Sequence, residues 1–94
     1  MPTAYVLLNT EIGAEKQVIS DLKKVSGVEE AHSLWGIYDI IANVKAESMD
    51  ELKHIITHRI EKIDKINSKL TMIINEKPLN PIQEQVSFEN PLIQ

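Results

Sequence analysis

Two sets of residues in this 94-residue chain have the types and spacing for binding chemistry. The first lies in WGIYDIIANV, residues 35–44, where Asp39 directly follows Tyr38 and stands three residues after Gly36. A carboxylate inside an apolar run must be solvated, paired or used. Without a function, Asp39 pairs with a lysine of a neighbouring subunit, Gly36 is only a turn and Tyr38 is packing. With one, the three residues form a small binding turn. The residue types alone leave both readings open. The second set is His54-Ile-Ile-Thr-His58, two imidazoles one helical turn apart with Asp50 and Glu61 nearby. That spacing suits a divalent metal. It is not the metalloprotease motif, because Ile55 stands where the glutamate base belongs. Two histidines on a polar helix face are more often plain surface. The expectation is therefore no metal, with His54 and His58 as the secondary candidates.

A third set, His32, Trp35 and Asn9, could imitate the Trp, Asn and His residues of small dimeric α+β barrel monooxygenases. Packing at a subunit boundary accounts for them more simply. Acylphosphatase-like chemistry needs a loop arginine, and the single arginine, Arg59, lies inside a helical pattern. No serine–histidine–carboxylate arrangement and no phosphate-cradling glycine loop is visible. No catalytic residue and no cofactor are expected, and the chain reads as a non-enzyme.

The bulk composition narrows the classes further. Formal net charge is −4, and only one of the ten basic residues is arginine. Backbone binding to nucleic acid requires clustered Lys and Arg, so no direct nucleic-acid partner is expected. The chain holds no cysteine, which excludes disulfides, thiolate metal sites and cysteine nucleophiles. No apolar run reaches membrane-spanning length, and the N-terminal MPTAYVLLNT lacks the basic start of a signal peptide. A cytoplasmic protein without membrane contact is the default.

The elements that must position these residues follow from periodicity. TAYVLLNT, residues 3–10, reads as a strand. Apolar residues at Ala14, Val18, Leu22 and Val25 make a one-sided helix with Glu15, Lys16, Asp21 and Lys23 facing water, and Gly27 suits its left-handed terminus. Val28 to Trp35 is a second strand, Gly36 a tight turn, and Ile37 to Val44 a third strand. Ser48-Met-Asp-Glu51 is a capping box, opening a helix to about Ile63 with Met49, Leu52, Ile55, Ile56, Ile60 and Ile63 on one side. Ile66 to Asn75 is the fourth strand. The order βαββαβ is the ferredoxin-like arrangement, an α+β fold. Residues 1–76 form the domain. Residues 77–94 hold three of the four prolines and no periodicity, and read as a tail or a docking arm.

Strand alternation leaves apolar residues on both faces of the sheet. Ala4, Val6 and Leu8 oppose Tyr5, Leu7 and Asn9; Ile37, Asp39, Ile41 and Asn43 oppose Tyr38, Ile40, Ala42 and Val44. Two helices on one face leave the other uncovered, and soluble monomers rarely expose several hundred Å2 of apolar surface. A second copy packed sheet to sheet, giving a dimeric α+β barrel, is the simplest cover; the tail is the lesser alternative, since its prolines suit a sheet poorly.

YVLLNTEIG, VSGVEEAHSLWGIYDIIANVKAESMDEL and LTMII together resemble the ligand-sensing RAM domain of the Lrp/AsnC transcription regulators, over roughly residues 3–76. The G-x-Y-D turn is the most specific part. The resemblance implies a stand-alone sensor domain without the DNA-reading helix-turn-helix. It implies dimers through the sheets, assembly to a higher oligomer such as an octamer, and an amino-acid effector in clefts between dimers. It assigns ligand contact to Gly36, Tyr38, Asp39 and Thr71. Lys69 departs from the pattern by placing a bulky cation where a small hydroxyl is expected. A full-length Lrp/AsnC regulator becomes the expected protein partner, giving indirect control of transcription. On this reading Asp39 meets the ammonium of an α-amino acid, and Gly36 lets the ligand come close to backbone N–H groups.

Overall fold

Thr3–Thr10 forms β1, and its alternation is visible in burial: Ala4, Val6 and Leu8 are fully buried, while Tyr5, Leu7 and Asn9 are half-buried. The computed structural model describes residues 1–74. The expected tail, and Asn75 at the end of the fourth strand, lie outside the described residues. The remaining elements are α1 (Glu15–Lys23), β2 (Val28–Ser33), β3 (Ile40–Lys45), α2 (Met49–His54) and β4 (Ile66–Ile73). The four strands form one sheet in the order β2-β3-β1-β4 with every neighbouring pair antiparallel. The fold is α+β and ferredoxin-like, as expected.

The core lies between one face of the sheet and the helices. Val6, Leu8, Ile40, Ala42 and Val44 meet Val18 and Leu22 from α1 and Leu52, Ile56 and Ile60 from the second helical segment. These are the residues that period 2 in the strands and period 3.6 in the helices place on common faces. Burying a large aliphatic side chain completely contributes about 1.5–3 kcal/mol, so this cluster supplies most of the driving force.

Local chemistry sets the ends of the elements. Ser48 caps α2, its Oγ accepting the Glu51 N–H at 3.1 Å, while Glu51 reaches back to the Glu47 N–H at 3.1 Å rather than to the serine's own. The second helix does not continue as one α-helix to Ile63. It widens to a π-turn over Ile55–Arg59 and tightens to a 3-10 turn over Ile60–Lys62. The spacing Leu52, Ile56, Ile60 drifts about 40° per step around a 3.6-residue helix, and the wider turn takes back part of that drift. The Lys69 ammonium reaches across from β4 to the Ile56 carbonyl at 2.9 Å and to Glu61 at 2.8 Å. The bulky cation at this position is thus engaged with the widened turn.

Other boundaries also differ from the sequence expectation. Helix α1 stops at Lys23, and Gly27 instead serves the turn into β2. Its φ is +103°, its carbonyl accepts the Lys45 N–H at 2.8 Å, and a Cβ there would lie 2.7 Å from Ile55 Cδ1. The β2–β3 connection is a six-residue loop, residues 34–39, rather than a tight turn at Gly36. The loop is closed by the Leu34 N–H donating to the Asp39 carbonyl at 2.8 Å. Asp39 therefore lies in the loop, and strand alternation does not govern residues 37–39. From Ile40 onward the expected faces hold, with Ile40, Ala42 and Val44 buried.

Candidate functional site

Because β1 and β3 run antiparallel, the end of β1 meets the start of β3, and the β1–α1 and β2–β3 loops come together. Asp39 fastens them. Its N–H donates to the Leu8 carbonyl at 2.9 Å, and its Oδ2 accepts the Thr10 N–H at 2.9 Å. This answers the carboxylate's place in an apolar run: one oxygen is held by a backbone amide of the neighbouring strand. Beside it opens a cavity of about 500 Å3. Helix α1 lines one side with Glu15, Lys16 and Ile19; Ser33, Leu34, Trp35, Gly36 and Asp39 line the other. The volume lies in the usual range for small-molecule sites, about 300–1,000 Å3. Its charged groups are two carboxylates and one ammonium, and its apolar wall is Ile19, Leu34 and Trp35.

The four residues assigned to ligand contact separate into two groups. Gly36 and Asp39 line the cavity. Gly36 has φ +147°, a conformation side chains rarely adopt, and the space beside its Cα is open. Tyr38 is half-buried in the same loop but does not line the cavity. Thr71 pairs with Val6 in β4, on the helix-covered side of the sheet and beyond β1 from the loop. One chain does not bring Thr71 to Asp39.

His32, Trp35 and Asn9 are not gathered. His32 contacts Glu30 at 2.8 Å on the open sheet face, Trp35 borders the cavity, and the Asn9 amide donates to Ser68 Oγ at 3.1 Å. A smaller hollow of about 160 Å3 lies on the open face between Tyr5, Glu30, His32, Ile41 and Asn43, and the buried Asn43 Oδ1 has no hydrogen-bond donor among the described residues. His54 and His58 stack with ring centroids 4.6 Å apart, and His58 Nδ1 sits 2.9 Å from Thr57 Oγ1. Among the described residues no group of three or more His, Cys, Asp or Glu gathers to hold a metal. No helix among them is long and apolar enough to cross a membrane.

Residues 3–81 match the model of the Lrp/AsnC ligand-binding domain. The chain belongs to the Lrp/AsnC family. It is 33% identical over 61 residues to the regulatory protein AsnC of Escherichia coli, a span covering 65% of this chain and 40% of that protein. Among solved structures, a hypothetical protein from Pyrococcus horikoshii is 35% identical with a TM-score of 0.75, over 80% of this chain and 90% of that one. The structure of E. coli AsnC is 25% identical with a TM-score of 0.74, over 84% of this chain and 54% of that one. A transcriptional regulator from Neisseria meningitidis, solved with L-Met, has the same fold at 11% identity and a TM-score of 0.70, over 90% of this chain and 59% of that one. The chain thus spans between 40% and 59% of the length of these regulators.

As an Lrp/AsnC domain the chain supports a regulatory, effector-binding role, and its relatives are transcriptional regulators rather than enzymes. Within the cavity, sequence reading missed Glu15, Lys16, Ile19, Ser33 and Leu34. Periodicity alone puts Glu15 and Lys16 in water, because they lie off the apolar stripe of α1. The signal that finds them is topological: a helix that follows β1 begins beside the loop that precedes β3.

Proposed function

We propose that this Lrp/AsnC domain is a non-enzymatic sensor whose cavity binds a free α-amino acid or a close relative of one. The observation that carries the reading is that Gly36, Asp39 and Lys16 line one cavity. A zwitterion needs an anion for its ammonium and a cation for its carboxylate, and charge-assisted hydrogen bonds in a partly dry cleft supply both affinity and orientation. Asp39 Oδ2 holds the Thr10 N–H, and Oδ1 has no hydrogen-bond donor among the described residues. The L-Met complex of the Neisseria regulator supports an amino acid as the ligand class for this fold.

The working unit is an oligomer. Tyr5, Leu7, Ile41, Leu70 and Met72 share the open sheet face, where Leu70 and Met72 are 44% and 46% exposed. A second copy packed face to face covers these side chains and closes a dimeric barrel. The cavity lies at the sheet's end and stays open for contact between dimers, where Tyr38 of one copy and Thr71 of another complete the ligand set. Effector binding shifts the population of assemblies, an octamer among them, because it stabilises only those that form the cleft. A full-length regulator of the same family that co-assembles with the domain carries the signal to DNA. Isothermal titration of wild type and Asp39→Asn against the amino acids tests the reading. Wild type binds at least one of them and the variant binds it about tenfold or more weakly; equal affinity of both proteins, or no binding by wild type, refutes it.

A further inference from the structure

The lining of the cavity names a class of effector, an inference that rests on the amino-acid reading above. Its chemistry is divided. Lys16, Glu15 and Asp39 carry the charge, and neither Lys16 nor Glu15 is engaged in an ion pair among the described residues. Ile19, Leu34 and Trp35 form the apolar side. Trp35 is the chain's single tryptophan and is fully exposed, at 104%. Leu34 beside it is 37% exposed. A large aromatic surface that its own chain leaves uncovered at the rim of a cavity is available to a ligand that brings an apolar group to it.

We infer that the effector is an α-amino acid with a large apolar side chain, aromatic above all, whose ring lies against Trp35, Leu34 and Ile19. Its ammonium faces Asp39 and its carboxylate faces Lys16. A small side chain leaves the Trp35 wall wet, so it forfeits most of the available apolar contact. An acidic side chain meets two carboxylates, Glu15 and Asp39, with only Lys16 to offset them. A basic side chain finds Glu15 but must desolvate its charge beside Leu34 and Ile19. The cavity, at about 500 Å3, imposes no size limit that would exclude an aromatic ring.

Trp35 is its own reporter, and its exposure makes Trp35→Leu neutral for folding. The test titrates wild type, Trp35→Leu and Lys16→Gln with phenylalanine, leucine, methionine, alanine, asparagine, aspartate and lysine, by calorimetry and, for the tryptophan-bearing proteins, by emission. Phenethylamine and 3-phenylpropionate are run beside them as ligands lacking the carboxylate or the ammonium. Wild type binds phenylalanine tightest, alanine at least tenfold more weakly, and phenylalanine moves the Trp35 emission. Trp35→Leu weakens phenylalanine about three- to tenfold, the loss of one aromatic pair, and leaves alanine unchanged. Lys16→Gln weakens phenylalanine and 3-phenylpropionate but not phenethylamine. Tighter binding of alanine, asparagine, aspartate or lysine than of phenylalanine overturns the inference and leaves the Asp39 reading standing, as does phenylalanine binding indifferent to Trp35→Leu or to Lys16→Gln. No binding of any amino acid to wild type overturns both.

Discussion

Replacing Asp39 separates its structural bond from its proposed ligand contact. The Asp39 carboxylate accepts the Thr10 N–H at 2.9 Å, and Thr10 is only 6% exposed. Asp39→Asn keeps an oxygen acceptor of nearly the same shape but removes the charge. Charge-assisted bonds contribute about 1.5–3 kcal/mol and neutral ones about 0.5–1.5, so the expected loss is about 1 kcal/mol. Asp39→Ala removes the acceptor and leaves a largely buried amide without a partner. That costs the bond and part of the desolvation penalty, about 2–3 kcal/mol in all. Asp39's own backbone bonds to Leu8 and Leu34 survive in both variants, so neither unfolds the domain outright. Urea unfolding at one fixed protein concentration measures both losses, the fixed concentration mattering because association contributes to apparent stability. Hydrogen exchange at the Thr10 amide should be slow in wild type, somewhat faster in Asp39→Asn and much faster in Asp39→Ala. If both variants unfold with the wild-type midpoint and Thr10 exchange is unchanged, the two loops are not pinned through this carboxylate and the account of the cavity's geometry fails.

Three further outcomes are expected. Gly27→Ala meets a backbone at φ +103° and a Cβ 3.0 Å from the Lys45 carbonyl as well as 2.7 Å from Ile55 Cδ1; it should lose about 2–4 kcal/mol, and a melting temperature within 2 °C or so of wild type would contradict this. Lys69→Met keeps the aliphatic stem but loses the bond to the Ile56 carbonyl, so chemical denaturation should report a loss of about 1–2 kcal/mol with no change of secondary structure by circular dichroism; a more stable variant would mean that burying the ammonium outweighs its bond. Leu7→Lys with Met72→Lys puts two cations on adjacent strands of the open sheet face, so sedimentation at micromolar concentration should show wild type as a dimer or larger and the double variant shifted toward monomer; a wild type that sediments as a folded monomer removes the oligomeric reading.

The order of elements, the ferredoxin-like class and the buried sets Ala4, Val6, Leu8 and Ile40, Ala42, Val44 were legible in the sequence. They arise from periodicity within a few consecutive residues, and each strand's alternation is decided by its own side chains. The Ser48 cap was legible for the same reason, since its partner lies three residues away. Gly36 and Asp39 stood out in the sequence as neighbours, and both line the cavity; their part in binding is the proposal that titration tests. The loop over residues 34–39 was not, because it is set by Asp39's bonds to Leu8 and Thr10, about thirty residues upstream, which override a β-like run at residues 37–39. Nor did the sequence place Lys16 and Glu15 at a cavity, turn the second helix into a π-turn at Ile55–Arg59 or bring Lys69 to Ile56. Each of these depends on two elements distant in the chain settling against each other. Sequence determined which residues avoid water and in what rhythm; only the antiparallel closure of β1 on β3 decided which polar side chains would face one another across a shared space.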